Sequence, residues 1–556
     1  MKFCKWRSSL LLLFSINCIS LSAANKIDIK LKEQLQQSSL QKTSASSRTF
    51  AIVVQTKNDH TSFLHEYGLI GSQAGPYTTM MATAEQINKL VQHPEVAYLC
   101  GEHPLNLYND IADRLIGGFA AAQAGYTGEE IIIGIVDTGI DVKHPAFLDA
   151  QGRTRILYYW DQELSGGHLD EFAPYGAVWT KADIDAGLCT SLDINGHGTH
   201  VAGCAAQYIH GTGSESRYNG SCTANLIVVK SSLNSIAVIE GISFIKEKAA
   251  QIGKPVVINL SLGSQDGPHD GTDLSTAMID WLAGPQTVIV RSAGNDGDKQ
   301  IHDMVAADSD GESMPFVIQP GLSQLEIECW YSGNRAVQFE MELPNGQKTA
   351  ALQPGASQRM TFGNGAVIEI SNAPDGAEYF NGDNLLTISA TGEIPLGSWK
   401  LHFKCTLPAT VHAWATEVLP HDTFHFVETD NHYTLANDAC GHNVIVIGAA
   451  VSRDEFITQD EYGNPSSLRY PTSVGMIAPF SAGGPTRDGR QKPDLAMPGV
   501  YIVAAYSDDY AALSHLSDQQ WLAETPFYPV YGVSRSRGGG GTSAASGIAS
   551  GAIAQF

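Results

Sequence analysis

The sequence predicts an α/β protein built on a doubly wound parallel sheet, preceded by a small α+β domain and interrupted by an inserted β-sandwich or jelly roll. Three observations carry that expectation. Residues 110 to 300 alternate apolar strands with helical patterns, the arrangement that produces a parallel sheet with crossover helices. Residues 302 to 430 change to alternating β-rich runs broken by turn signals at short intervals. Residues 49 to 108 hold two strand patterns around one capped amphipathic helix. At 556 residues the chain is too long for one ordinary core, and 43% hydrophobic with 17% charged residues is a globular balance.

Taken in order, the first segment has Lys2, Lys5 and Arg7, an apolar run from Leu10 to Phe14, and Ser22-Ala23-Ala24. This is the form of a secretory signal peptide over residues 1–24, cleaved near Ala23 or Ala24. Cys18 lacks the leucine and small residues that precede a lipid-attachment cysteine. Residues 25–48 form a polar lead-in with Leu31, Leu35 and Leu40 at loosely helical spacing. In 49–108, Phe50 to Val54 and Val96 to Cys100 read as strands and Thr83 to Val91 as the helix.

The larger domain begins at residue 109. Its first part, 109–301, contains strands at Ile131 to Val136, Leu226 to Lys230, Pro255 to Leu260 and Val288 to Ser292, with helices at His197 to Ala206 and Ile236 to Lys248. The insertion, 302–430, shows runs such as Gln338 to Leu343, Ala366 to Ile370 and Trp399 to Phe403, with turns at Pro344-Asn345-Gly346, Pro374-Asp375-Gly376 and Asn381-Gly382. Because it interrupts a domain, its two ends must return close together. The second part, 431–556, resumes with a strand from Asn443 to Val451 and ends in an apolar helix pattern that stops soon after Ser543.

Three Gly-rich segments carry the chemistry: Ile135-Val136-Asp137-Thr138-Gly139, Asn195-Gly196-His197-Gly198-Thr199-His200 and Gly541-Thr542-Ser543. A serine hydroxyl is a weak nucleophile at neutral pH, so it needs a base within reach and a third group to fix that base's tautomer. Asp137 follows an apolar strand, which places it at the carboxyl end of the sheet, where open α/β folds build their sites. The order Asp, His, Ser inside these motifs resembles the subtilisin-like serine proteases, the subtilase or S8 peptidase family. The resemblance extends to Ser292-Ala293-Gly294-Asn295-Asp296-Gly297, to Asn259-Leu260-Ser261-Leu262-Gly263, and to Lys492-Pro493-Asp494 through Pro498-Gly499, where Met497 replaces the usual alanine. It covers most of residues 49–556.

The resemblance implies a secreted serine endopeptidase working through an acyl-enzyme. Ser543 would be the nucleophile, His197 the base, Asp137 the residue orienting it, and Asn295 with the Ser543 N–H the oxyanion donors. Ser261, Leu262 and Gly263 would pair with substrate as an added strand and shape the first specificity pocket. Activity would rise with pH as the imidazole becomes neutral, around the usual value of about 6.5. His200 and His144 match structural positions. The 49–108 unit, through His93-Pro94-Glu95-Val96-Ala97-Tyr98, resembles a propeptide that assists folding and inhibits until cut, with cleavage expected between Gly101 and Arg114. Partners are therefore polypeptide substrates and the chain's own propeptide.

Other classes are disfavoured. A net charge of −24 leaves nothing basic to displace phosphate counterions, so no nucleic-acid partner is expected. No run after residue 24 approaches the roughly 18 apolar residues of a membrane span, so export to the periplasm, cell surface or medium follows. No cofactor is expected. The family commonly binds stabilising calcium, but the acidic run from Asp296 to Glu312 lacks Asp-x-Asp-x-Asp-Gly spacing and reads as a solvated loop, so no metal ligand is assigned. Of nine cysteines, Cys4 and Cys18 leave with the signal peptide; Cys329 and Cys405 are the expected pair, with buried free thiols the alternative.

The pattern also departs from the family. After the nucleophile the family usually reads Met-Ala-x-Pro, whereas this chain has Ala544-Ala545-Ser546-Gly547, and glycine in a first helical turn loosens it by roughly 0.5–1 kcal/mol. Arg217 to Ala224 lacks the usual Gly-x-Ala-Pro. These differences keep open a second expectation: a catalytically impaired subtilase-like protein that binds protein or glycan through its β-rich insertion.

Overall fold

The structure, a computed structural model, describes residues 26–27, 31, 35, 49–58, 61–74, 76–101, 112–168, 170–208, 210, 219–220, 222–416, 422–429, 431–459, 465–509, 530–531 and 534–556. The expected signal peptide lies outside these residues, as do most of the polar lead-in, most of the expected cleavage region and Arg217. The chain divides into two compact units at residues 106 and 107.

In the first unit, four antiparallel strands run in the order Leu69–Ala74, Tyr77–Thr83, Thr49–Thr56, Val96–Gly101. Helix Ala84–Gln92 begins with a capping box: the Thr83 hydroxyl accepts from the Gln86 N–H while the Gln86 side chain accepts from the Thr83 N–H. Its Ile87, Leu90 and Val91 face Ile52, Val54 and Leu99 of the sheet.

The second unit is organised by an eight-stranded sheet in the order Leu495–Pro498, Ile445–Ala450, Thr287–Ser292, Val256–Leu260, Ile132–Asp137, Asn225–Lys230, Ile156–Asp161, Ala177–Thr180. All neighbours are parallel except the last pair. Strand alternation sends Ile133, Ile135, Val228 and Val257 to one face, against Ala202, Ala205, Ala545 and Ala549 of helices His197–Ala206 and Thr542–Ala554. Ile132, Val136, Val229 and Ile258 point to the other face, against Val238, Ile242 and Ile245 of helix Ser235–Ile252. Burial on both faces explains why Ile132–Asp137 reads as an unbroken apolar run. From this strand the chain goes out to Ile156–Asp161 and Ala177–Thr180 on one side, returns to Asn225–Lys230, then crosses to Val256–Leu260 and runs outward on the other, so the order reverses beside the central strand and leaves a crevice at its carboxyl end.

Between Ile301 and Val427 the chain forms two antiparallel sheets, one of six strands and one of four, enclosing a core that includes Phe316, Ile327, Phe339, Ile388, Trp399 and Phe403. The Phe426 N–H donates to the Gln300 carbonyl at 3.0 Å and the Ala415 N–H to Ile301 at 2.9 Å, so the segment leaves and re-enters the α/β frame at one place. Two expectations fail here. Cys329 and Cys405 are buried free thiols rather than a disulfide, because each sits inside the apolar sandwich core as a small hydrophobe. The acidic run to Glu312 is no simple surface loop: it contains strand His302–Ala307, whose inward residues anchor the sandwich. Sequence reading also missed strands Ile156–Asp161 and Ala177–Thr180 and helix Leu274–Leu282.

Candidate active site

Asp137 is the last residue of the central strand and is 1% exposed. Its Oδ1 accepts the Thr138 N–H at 2.7 Å and His197 Nδ1 at 2.7 Å, while its Oδ2 is buried without a partner among the described residues. A carboxylate on Nδ1 makes that nitrogen the donor and leaves Nε2 as the basic atom.

His197 opens its helix, and glycines bring it to the aspartate. Gly196 caps the helix at φ 81°, in the left-handed region, and a Cβ there would stand 2.5 Å from the Tyr506 ring. A Cβ on Gly198 would lie 2.2 Å from the Gly139 carbonyl and 3.2 Å from the Asp137 Cβ, so only glycine lets this turn reach the strand end. His200 sits inside the same helix, its Nε2 3.4 Å from the Ile502 carbonyl, and His144 is buried with Nδ1 accepting from the Ala146 N–H. Both take structural positions.

Asp193 was not singled out from the sequence, yet it ties the two halves together. Fully buried, it accepts the Thr138 hydroxyl at 2.9 Å, the Gly196 N–H at 2.8 Å, and the Thr199 N–H and hydroxyl at 2.9 and 2.6 Å. One carboxylate thus satisfies otherwise orphaned donors at the His197 helix start and grips the residue after Asp137. Its own N–H donates to Asp509 at 3.2 Å, whose carboxyl is pushed up to about 6 by burial and then by nearby Asp141. The only sequence signal was an acid three residues before a Gly-His-Gly turn.

Ser543 is the second residue of helix Thr542–Ala554. Its hydroxyl donates to the Ser261 carbonyl at 3.2 Å rather than to His197, so the structure brings acid and imidazole together but leaves the serine bonded to the neighbouring edge. Asn295 stands beside it. The Thr542 N–H donates to Asn295 Oδ1 at 2.9 Å and the Thr542 hydroxyl lies 3.0 Å from the same oxygen, so Oδ1 serves as acceptor and the amide nitrogen remains the donor end of Asn295.

Ser261, Leu262, Gly263, Asn295 and Ser543 line one cavity of about 240 Å³. Ile301, Ala415 and Thr416, from the two ends of the sandwich, complete its wall, a contribution no local motif announces. A Cβ on Gly263 would meet Ala436 and Asp438 at 2.9 Å, so this position is held to glycine. Behind it Arg291, 1% exposed, pairs with Asp438 and donates to the Leu262 carbonyl at 3.4 Å; burial lowers its guanidinium to about 10. A larger cavity, about 800 Å³, opens at the opposite ends of the strands beside Arg155 and Asn225 and contains none of these residues.

Residues 128–556 match the family model described as the subtilase family. Among characterised proteins, the chain is 32% identical over 175 residues to subtilisin DY of Bacillus licheniformis, covering 31% of this chain and 50% of that protein. It is 27% identical over 226 residues to subtilisin E of Bacillus subtilis, covering 38% and 47%. The chain thus spans about half the length of these relatives. Its fold is similar to that of the Clostridium perfringens CspB protease, with a TM-score of 0.62 at 24% identity over 80% of this chain and 86% of that one.

Proposed function

The chain belongs to the subtilase family, and from that premise we propose that it is an exported serine endopeptidase cleaving polypeptides through an Asp137–His197–Ser543 triad. The observation that carries the proposal is the 2.7 Å bond between a buried carboxylate and His197 Nδ1; the helix that carries Ser543 packs directly on the His197 helix, and Ser543 shares one cavity with Asn295.

A substrate strand adds along Ser261 to Gly263, placing its scissile carbonyl over Ser543. Substrate binding draws the Ser543 hydroxyl from the Ser261 carbonyl toward Nε2; such contacts are often long in unliganded enzymes and tighten with substrate. His197 takes the hydroxyl proton as Oγ attacks the carbonyl carbon. Asp137 holds the ring in the required tautomer and stabilises the imidazolium. The Asn295 amide and the Ser543 N–H donate to the oxygen as it gains charge. His197 then protonates the departing amine, and a water, deprotonated by the same ring, hydrolyses the acyl-enzyme. Export by the N-terminal signal segment and inhibition by residues 49–108 as a propeptide belong to the same proposal.

The test is intact mass after treatment with an organophosphonate probe, comparing wild type with Ser543→Ala. One adduct, absent from the variant, is expected. No adduct on folded protein freed of residues 1–108 would refute the reading. The second reading, a binding protein with a vestigial triad, is favoured by the Ser543 hydroxyl resting on the Ser261 carbonyl, and would then stand.

A further inference from the structure

Helix Thr542–Ala554 starts at Gly541, which supplies no side-chain cap of its own, and Gly547 is its sixth residue, past the first turn. Its two flanks are nevertheless held in different ways. On one flank a Cβ on Gly547 would lie 2.8 Å from the Cys204 Cβ and 2.9 Å from the Val201 carbonyl, and one on Gly551 would lie 2.3 Å from the Ala205 carbonyl. The serine helix is therefore pressed directly onto the backbone of the His197 helix.

The other flank carries a polar ladder. The Asn259 amide donates to the Ser261 hydroxyl at 2.7 Å; Ser261 and Ser546 hydroxyls meet at 2.8 Å; both lie within reach of the Ser543 carbonyl, at 3.0 and 2.9 Å. Ser550 lies 3.0 Å from Asn259 Oδ1 and 2.9 Å from the Ser546 carbonyl. Each hydroxyl has one proton. If Ser261 donates to the Ser543 carbonyl, Ser546 donates to Ser261; if Ser261 donates to Ser546, Ser546 donates to the carbonyl. In either state the Ser543 carbonyl receives one hydroxyl bond and the ladder closes. Asn259, Ser546 and Ser550 are fully buried and Ser261 is nearly so, so no water competes for these groups.

We propose that Asn259, Ser261, Ser546 and Ser550 form a positioning device that locks the Ser543 backbone to the substrate-binding edge, while Gly547 and Gly551 set its distance from the His197 helix. This rests on the reading of Ser543 as the nucleophile. The Ser261 side chain accordingly faces the helix, and its substrate role is left to its backbone. None of the four side chains touches the reacting atoms, so they act on the nucleophile's placement.

Ser546→Ala, Ser550→Ala and the hydroxyl-retaining Ser546→Thr separate this role from simple packing. Two readouts are taken: kcat and KM on a chromogenic peptide once the protein is freed of residues 1–108, and amide hydrogen exchange of the peptide spanning 541 to 551. Each alanine variant should lower kcat by about three- to tenfold, the size of one lost buried hydrogen bond, with KM little changed. Exchange should speed in the 541–551 peptide alone, and Ser546→Thr should restore both. Unchanged kcat and exchange, a change confined to KM, or loss of protection across the whole chain in both alanine variants would overturn the proposal. A wild type that takes no organophosphonate refutes the nucleophile reading; the exchange result then decides the ladder by itself.

Discussion

Replacing Asp193 with alanine tests whether acid and base are held by one buried carboxylate. Besides the part-buried Asn195 N–H at 3.3 Å, four donors converge on it: the N–H groups of Gly196 and Thr199 and the hydroxyls of Thr138 and Thr199. The hydroxyls can rotate toward other acceptors, but the two N–H groups are fixed by the helix start and buried. Each buried donor left unsatisfied costs about 1–3 kcal/mol, so Asp193→Ala should lose about 4 kcal/mol of stability. Asp193→Asn keeps one acceptor oxygen and should lose about half as much. Stability is read from urea unfolding at unchanged m-value. Catalytic damage is read separately, as the rate of organophosphonate labelling without urea, where every variant is folded. Because Asp193 grips Thr138 and Gly196 together, its loss lets His197 drift from Asp137. A misplacement of about 1 Å costs about 10²-fold in rate. Asp193→Ala within about 0.5 kcal/mol of wild type and labelling at the same rate would refute the reasoning, since that is the range of surface substitutions.

Asn295→Ala should lower kcat by about 10²–10³ with KM nearly unchanged, a size taken from a subtilisin rather than worked from this structure; a KM effect alone would remove the oxyanion role. Gly547→Ala should destabilise by about 1–3 kcal/mol through its contact with Cys204 and Val201, and Gly547→Pro by more; a neutral thermal melt for both would disprove the close approach of the two helices. Acid should weaken the junction between sandwich and α/β frame. There His269 stacks on Trp414 at 4.1 Å and His302 meets His412 at 3.1 Å, beside Arg487 and Asp270. Burial lowers His269 to about 4 and His412 to about 3, with Arg487 pushing the same way. The unfolded chain therefore binds more protons below its ordinary value of about 6.5, and stability is lost as pH falls from there toward about 4, up to about 3 kcal/mol from His269 alone. A urea midpoint that stays flat between about pH 7 and about pH 5 would contradict this.

Much of the site was legible because its chemistry is local. Strand Ile132–Asp137 is buried on both faces, so it had to be written as a continuous apolar run ending in a polar residue. Gly196 and Gly198 are demanded by a positive φ and by a backbone contact, so the histidine motif carries its own geometry in residue types. Strand Ile156–Asp161 and helix Leu274–Leu282 escaped notice because their apolar residues are interleaved with residues buried for polar reasons. Asp161, for example, accepts two backbone N–H groups.

Residue order and motif thus settled the fold class and the family, and proposed the acid, base and hydroxyl, each from a few consecutive residues. Partners distant along the chain were decided only in three dimensions. Asp193 becomes a latch because two loops converge on it. Thr416 becomes part of the cavity wall because the sandwich returns beside Ile301. Ser550 becomes a support because Asn259, 291 positions earlier, lies across from it. Hydrogen bonds and packing act over a few ångströms regardless of separation in sequence, so no local pattern records them.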